Sequence, residues 1–273
     1  MTRVVVIGAA GRMGRLLVKN ILISSDLRLV GAIEAQGNPT IGSDAGALAG
    51  LPNCGLQLTD NLKGSLANAD VIIDFSTGRI VENAKQAFFN NVGIVIGTTG
   101  LGQEEKNELK KLAEEGARIV CAPNMSVGVN LLFYLAGYVA KILGDSYDIE
   151  LVELHHNQKK DAPSGTAVRL VEIMAEARNM SMDSDICYGR KGITGTRAQN
   201  EIGVHAVRCG DVVGEHTIYF STCGERVELT HKASTRETFA LGALRGARFI
   251  SKSAPGLYDM QDVLGISKSC LDT

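Results

Sequence analysis

The chain opens on an unbroken apolar run, Val4 to Ile7, that breaks at once into a glycine-rich turn, Gly8-Ala9-Ala10-Gly11-Arg12-Met13-Gly14. Apolar residues then recur at helical spacing (Met13, Leu16, Leu17, Ile21), so the pattern predicts strand, tight turn and helix in that order. The same alternation repeats. Residues 27–33 and 71–76 read as strands, 80–91 as a helix, 93–96 as a strand, 104–115 as a charged helix and 118–121 as a strand. Short, largely apolar strands separated by amphipathic helices predict a parallel sheet with right-handed crossovers, a Rossmann-like doubly wound α/β domain. After Met125 the pattern changes. Residues 127–143 form a long apolar helix, and 149–154 alternate apolar and polar positions up to His155. A helix runs from Ser164 to near Arg178, and 204–209, 216–221 and 225–231 read as strands with polar turns. A second α+β domain on an open, mostly antiparallel sheet is expected. The boundaries fall at residues 1–125 for the first domain and 126–235 for the second, with 236–273 returning to pack on the first.

Composition narrows the class. At 273 residues, with 45% hydrophobic and 21% charged positions, the chain supports two modest domains with ordinary cores. A net charge of -2 gives no basic footprint for nucleic acid or an anionic membrane surface. The longest apolar run is interrupted at Gly128, Asn130, Gly137 and Tyr138, so no membrane span is expected. The six cysteines include no C-x-x-C pair and read as reduced thiols in a cytoplasmic protein.

Two stretches carry chemistry. In the first, the glycines at 8, 11 and 14 let backbone approach a pyrophosphate at a helix start, and Glu34 closes the second strand about twenty residues on, where it can accept from ribose hydroxyls. The spacing is G-x-x-G-x-x-G, weaker as a signature than G-x-G-x-x-G. Gly97-Thr98-Thr99 and Ala122-Pro123-Asn124-Met125 fall at the same carboxyl edge of the sheet. In the second, residues 155–167 gather His155, His156, Lys159, Lys160 and the helix start Ser164-Gly165-Thr166 between a strand and a helix. Adjacent strand residues point to opposite sides, so the two imidazoles do not share a metal, and no metal site is expected. Solvated surface groups explain such residues singly. Together they suit binding a carboxylate and moving a proton.

With those motifs in view, the sequence resembles the 4-hydroxy-tetrahydrodipicolinate reductase (dihydrodipicolinate reductase) family. The likeness rests on residues 8–15, 97–100, 124–130, 155–167, 210–217, 231–234 and 258–260, in that order. It implies an NADH- or NADPH-dependent oxidoreductase of the diaminopimelate pathway to lysine, acting on a small dicarboxylate. Carried over by residue, it implies His155 as acid/base and Lys159 as second proton donor. His156, Ser164, Gly165 and Thr166 bind substrate. Gly8, Ala9, Ala10, Gly11, Arg12, Met13, Glu34, Gly97, Thr98, Thr99, Ala122, Pro123, Asn124 and Met125 line the cofactor. A homotetramer built through the second-domain sheet is also implied. The sequence departs from the pattern twice. Ala35 stands where relatives that readily use the phosphorylated cofactor often carry arginine, although Arg12 offers a cation. Ser76-Thr77-Gly78-Arg79 lacks an expected proline. Two other readings stay open on residues alone: another two-domain Rossmann oxidoreductase of homoserine or semialdehyde type, the latter needing a nucleophilic cysteine for which Cys121 has no His partner in sequence, and a nicotinamide-sensing protein without catalysis.

Overall fold

A computed structural model describes residues 1–98 and 100–266. Thr99 and residues 267–273, which include Cys270 and the end of the expected C-terminal return, lie outside the described residues. The elements run β1 (Thr2–Ile7), α1 (Arg12–Leu22), β2 (Leu27–Ile33), α2 (Ala45–Leu48), α3 (Leu62–Leu66), β3 (Val71–Asp74), α4 (Ile80–Phe89), β4 (Gly93–Ile96), α5 (Gln103–Glu114) and β5 (Arg118–Cys121). The chain continues through α6 (Val127–Leu143), β6 (Asp148–His155), α7 (Gly165–Ala177), β7 (Ile186–Tyr188), β8 (Ile202–Arg208), β9 (Gly214–Thr222) and β10 (Glu225–Ala233). It closes with α8 (Glu237–Ile250), β11 (Gly256–Tyr258) and α9 (Met260–Leu264). By contacts it forms two compact units, residues 1–127 with 237–265, and residues 128–236.

The first unit is a six-stranded sheet in the order β11-β5-β4-β3-β1-β2, parallel at every pairing. Its strands are largely apolar because both faces are covered, with charged residues confined to positions near strand ends such as Arg3, Arg28, Asp74 and Arg118. Val4, Val6, Ile73, Val95 and Val120 face α1 and α8, whereas Val5, Ile72, Ile94 and Ile119 face α4 and α5. This alternation is the two-residue period of a strand turned into two cores. Gly14 lets α1 lie against the end of β1, since a Cβ there would stand 2.0 Å from the Gly8 carbonyl oxygen. The return strand β11, too short to read from periodicity, pairs with β5 and forms the sheet edge.

The second unit is a five-stranded sheet in the order β10-β9-β6-β8-β7. β9 pairs antiparallel with β10 and β6, but β8 runs parallel to both β6 and β7. The sheet is therefore mixed, which corrects the antiparallel sense expected for residues 204–209. The cause is topological: α7 carries the chain from β6 to β7 and residues 189–201 carry it from β7 to β8, and each crossover returns it in the same direction. One face packs Ile149, Leu151, Ile218 and Phe220 against α6 and α7. Helix α6 with the turn after it, Val127–Ser146, is long and apolar enough to cross a membrane by length and composition alone, a test that a buried core helix also passes. Its Val129, Leu132, Phe133, Ala136 and Ala140 belong to this core.

Candidate functional site

Two places in the fold gather the chemistry. The first is a cleft of about 920 Å³ at the carboxyl edge of the parallel sheet. Gly8, Ala10, Gly11 and Glu34 line it, together with Arg15, Lys63 and residues 75–79. Gly8 adopts φ 76°, the left-handed conformation that starts the turn, and its carbonyl accepts from the Gly11 N–H at 3.0 Å. Helix α1 has neither a side-chain cap nor an acidic residue in its first turn, so its positive end is available to an anion. Glu34 accepts from the Ala10 and Ala35 N–H groups, both at 3.0 Å, which ties the glycine turn to the end of β2. The amides of an uncapped helix start, which donate, and a fixed carboxylate, which accepts, are the polar groups a dinucleotide needs, and these residues fit one.

The other expected cofactor residues distribute around this edge. Thr98 donates from its hydroxyl to the Ser76 carbonyl at 2.8 Å, and Gly97 leaves space filled by the Phe75 ring. Ala9, Ala122 and Met125 are buried, whereas Arg12 is exposed and absent from the cleft lining. Pro123 is exposed, and Met13 and Asn124 are half-buried. Thr99 lies outside the described residues. Sequence reasoning missed Asp74, which is fully buried at the end of β3 and accepts from the Ser76 N–H, the Ser76 hydroxyl and the Asn83 amide. Burial pushes its carboxyl upward, partly offset by these bonds. The missing proline has a local reason. Gly78 and Arg79 take φ of 83° and 57°, and a proline ring cannot adopt a positive φ.

The second place lies at the carboxyl end of β6. Ile149, Leu151, Glu153 and His155 alternate toward the helices, so an acid and an imidazole occupy what would otherwise be core positions. Glu153 is fully buried and His155 is 9% exposed. His155 Nδ1 lies 2.5 Å from Glu153 Oε2, and Arg208 on β8 grips both Glu153 oxygens at 3.0 and 2.9 Å. The Ser164 N–H donates to Glu153 Oε1 at 3.0 Å. Burial alone would raise the Glu153 carboxyl, but His155 and Arg208 outweigh it and hold the group at about 2. Ser164 caps α7, its Oγ accepting from the Ala167 N–H at 3.2 Å, and lies 3.1 Å from His216 Nε2. His216, inward on β9, is depressed to about 3 by burial and by the neighbouring His155. Beyond it in register stands His231 on β10, also lowered by burial.

Of the expected residues, the fold brings His155 and Ser164 onto one buried carboxylate. Gly165 and Thr166 open α7, where helix geometry points the first amides out of the end. Lys159 pairs with Asp161 at 2.9 Å, and that ammonium lowers the Asp161 carboxyl. His156 is half-buried past the strand end and takes no part in the Glu153 network. Glu153, Arg208 and His216 were missed, yet Glu153 and His216 are polar residues at inward positions of alternating strands, which is a readable signal, whereas Arg208 ends a strand that does not alternate. Burial pushes the Cys121 thiol up to about 11, the opposite direction from that of an activated nucleophile. Among the described residues no cluster of His, Cys, Asp and Glu could hold a metal.

Comparison with known proteins follows the same division. Residues 2–125 match the family model "Dihydrodipicolinate reductase, N-terminus" and residues 128–264 match "Dihydrodipicolinate reductase, C-terminus". A 4-hydroxy-tetrahydrodipicolinate reductase of Anaeromyxobacter sp. (strain Fw109-5) is 51% identical over 269 residues, covering 97% of this chain and 98% of the relative. That of Hahella chejuensis (strain KCTC 2396) is 48% identical, covering 97% and 100%. Among solved structures, a dipicolinate-bound dihydrodipicolinate reductase from Paenisporosarcina sp. TG-14 superposes with a TM-score of 0.75 at 26% identity, covering 98% of this chain and 100% of that one.

Proposed function

This chain belongs to the dihydrodipicolinate reductase family, and from that premise we propose that it reduces 4-hydroxy-tetrahydrodipicolinate, with loss of water, to tetrahydrodipicolinate in the diaminopimelate pathway to lysine. The observation that carries the reading is the placing of His155, the Lys159 loop and the start of α7 around one buried carboxylate.

The substrate is a dianion. The Gly165 and Thr166 amides with the Thr166 hydroxyl receive one carboxylate, and Ser164 holds the helix start in place. His156 and Lys159 balance the remaining charge. Residues 8–13, Glu34, 97–99 and 122–125 would hold a reduced nicotinamide, whose chemistry would be the supply of hydride to the conjugated ring. Loss of water gives the conjugated ring, the 4-hydroxyl leaving with a proton from Lys159 and a ring proton passing to solvent; once hydride has added, electron density moves to the far end of that system, where His155 delivers a proton from Nε2. Dipicolinate, bound to the Paenisporosarcina relative, is a dicarboxylate of the same class.

The cofactor is NADH or NADPH, with NADH working at least as well. A carboxylate fixed beside the adenosine ribose favours free hydroxyls and repels a 2′-phosphate, and Arg12 lies outside the cleft lining. A kcat/KM for NADPH tenfold above that for NADH overturns this preference. The protein works in the cytoplasm, without nucleic acid or membrane. It assembles as a homotetramer through the face of the second sheet opposite α6 and α7, where Val152, Leu154, Val207 and Tyr219 are only partly covered. Light scattering on the purified protein tests the assembly.

The activity is tested by coupling the protein to the preceding synthase with pyruvate and aspartate semialdehyde, and following NAD(P)H absorbance. Enzyme-dependent decay is expected, and its absence overturns the assignment.

A further inference from the structure

His155 ends a chain of buried contacts that the reaction itself does not use. Its partner Glu153 has no accessible surface. Each Glu153 oxygen takes two bonds: Oε2 from His155 Nδ1 and Arg208 Nη1, and Oε1 from Arg208 Nη2 and the Ser164 N–H. Arg208 Nη2 also donates to the Asp161 carbonyl at 2.7 Å, in the loop that carries Lys159. One carboxylate therefore reaches the imidazole and the start of α7 directly, and the lysine loop through Arg208.

We propose that Glu153 is the positioning residue of this site, fixing the His155 ring with Nδ1 protonated and Nε2 turned to the substrate, with Arg208 as the cation that keeps Glu153 an anion. The inference rests on His155 being the proton donor of the proposed reaction.

Three observations support it. An ionised carboxylate only accepts hydrogen bonds, so the imidazole nitrogen against it must donate. The bidentate guanidinium holds the carboxylate plane rigidly, as a fork-to-fork pair does. On the far side of the ring, Nε2 looks toward Gly214, where a Cβ would stand only 3.0 Å away. A glycine at that point leaves the working nitrogen uncovered. The charged and titratable groups facing His155 are Glu153 on its own strand, Arg208 on β8, His216 on β9 with ring centroids 5.3 Å apart, His231 in register beyond it, and Lys159 from the following loop. Among them Glu153 is the group against Nδ1, so losing its carboxylate removes what aims the ring.

The test is a double-mutant cycle on the full chain in the coupled assay, with Glu153→Gln, His155→Ala and the pair. Glu153→Gln is expected to lower kcat roughly 10²-fold and to move the alkaline limb of the kcat/KM profile to lower pH. In the His155→Ala background the same change is expected to cost no more than about threefold, because its effect passes through the imidazole. An equal loss in both backgrounds, or an unmoved limb, overturns the proposal. Should Glu153→Gln fail to fold, ¹⁵N NMR of histidine-labelled wild type decides the matter. A proton on His155 Nδ1 is expected, and a neutral ring protonated only on Nε2 overturns the assignment. That measurement needs no turnover, so it stands apart from a failure of the wild type to consume NAD(P)H.

Discussion

The two units each bury a carboxylate completely at the end of a strand, and the two behave in opposite ways. Asp74 in the first unit is surrounded by neutral donors, the Ser76 hydroxyl and amide and the Asn83 amide, and its carboxyl is raised. Glu153 in the second meets a guanidinium and an imidazole, and its carboxyl is held at about 2. Equal burial thus has opposite consequences, because the charge of the partners decides whether the low dielectric penalises the anion or strengthens its attraction. Asp74 is a brace for a loop. Glu153 is a permanent anion beside a proton donor. The contrast extends to the whole of each site: the cleft presents backbone amides and glycines, whereas the second place is assembled from ionised side chains.

The sharpest way to break this comparison is to remove the cation. Arg208→Met leaves Glu153 buried with His155 as its one charged neighbour, and is expected to destabilise the protein by about 3 kcal/mol or more, measured by urea unfolding at pH 7. A loss below about 1 kcal/mol would mean that Glu153 does not need its guanidinium. Next in size is the catalytic pair. His155→Ala and Lys159→Ala should each lower kcat by roughly 10²-fold, equivalent to about 2.7 kcal/mol of barrier. Near wild-type turnover in both would detach the second unit from the chemistry.

A titration of stability separates the two carboxylates by sign. Glu153 and His216 both sit below their ordinary values when folded, so each supports the fold above its unfolded value and loses that support as pH falls. For His216 the window runs from about 6.5 down to about 3, because the unfolded chain takes up the proton first. The expected slope reaches about 1.4 kcal/mol per pH unit, and His216→Gln should flatten it between pH 6 and 4. Asp74 runs the other way: raised when folded, it stabilises most below the ordinary carboxyl value and loses that contribution as pH rises through its folded value. The smallest effect follows. Asp74→Asn, with the Asn83 amide turned to donate and accept in exchange, should change stability at pH 7 by no more than about 1 kcal/mol. A loss of several kcal/mol would show that Asp74 is as dependent on its charge as Glu153.

Much of the first unit was legible in the sequence because its signals are local. Val4 to Ile7 is apolar on both faces, the glycine turn follows immediately, and Glu34 ends the next strand, so periodicity alone places all three at one sheet edge. The second site was half legible. His155, Lys159 and Ser164 are close in the chain, but the groups that hold them come from β8 and β9, and their places are set by register, which puts Arg208 opposite His155 and His216 opposite Glu153. Arg208 is invisible for that reason, and the parallel sense of β8 hid it further. Inward polar residues at Glu153 and His216 were the available clue, since an alternating strand does not place acid or imidazole on its core side without partners.

The short strand β11 imposes an order on how this protein is made. It completes the first sheet by pairing Gly256 to Tyr258 with Arg118 to Val120, across the whole span of the second unit. A ribosome-bound chain therefore finishes the second unit while the first still shows β5 as an open edge, the kind of surface on which nascent chains pair wrongly. Closing it costs little in loop entropy, which grows only with the logarithm of the intervening length. What it demands is waiting.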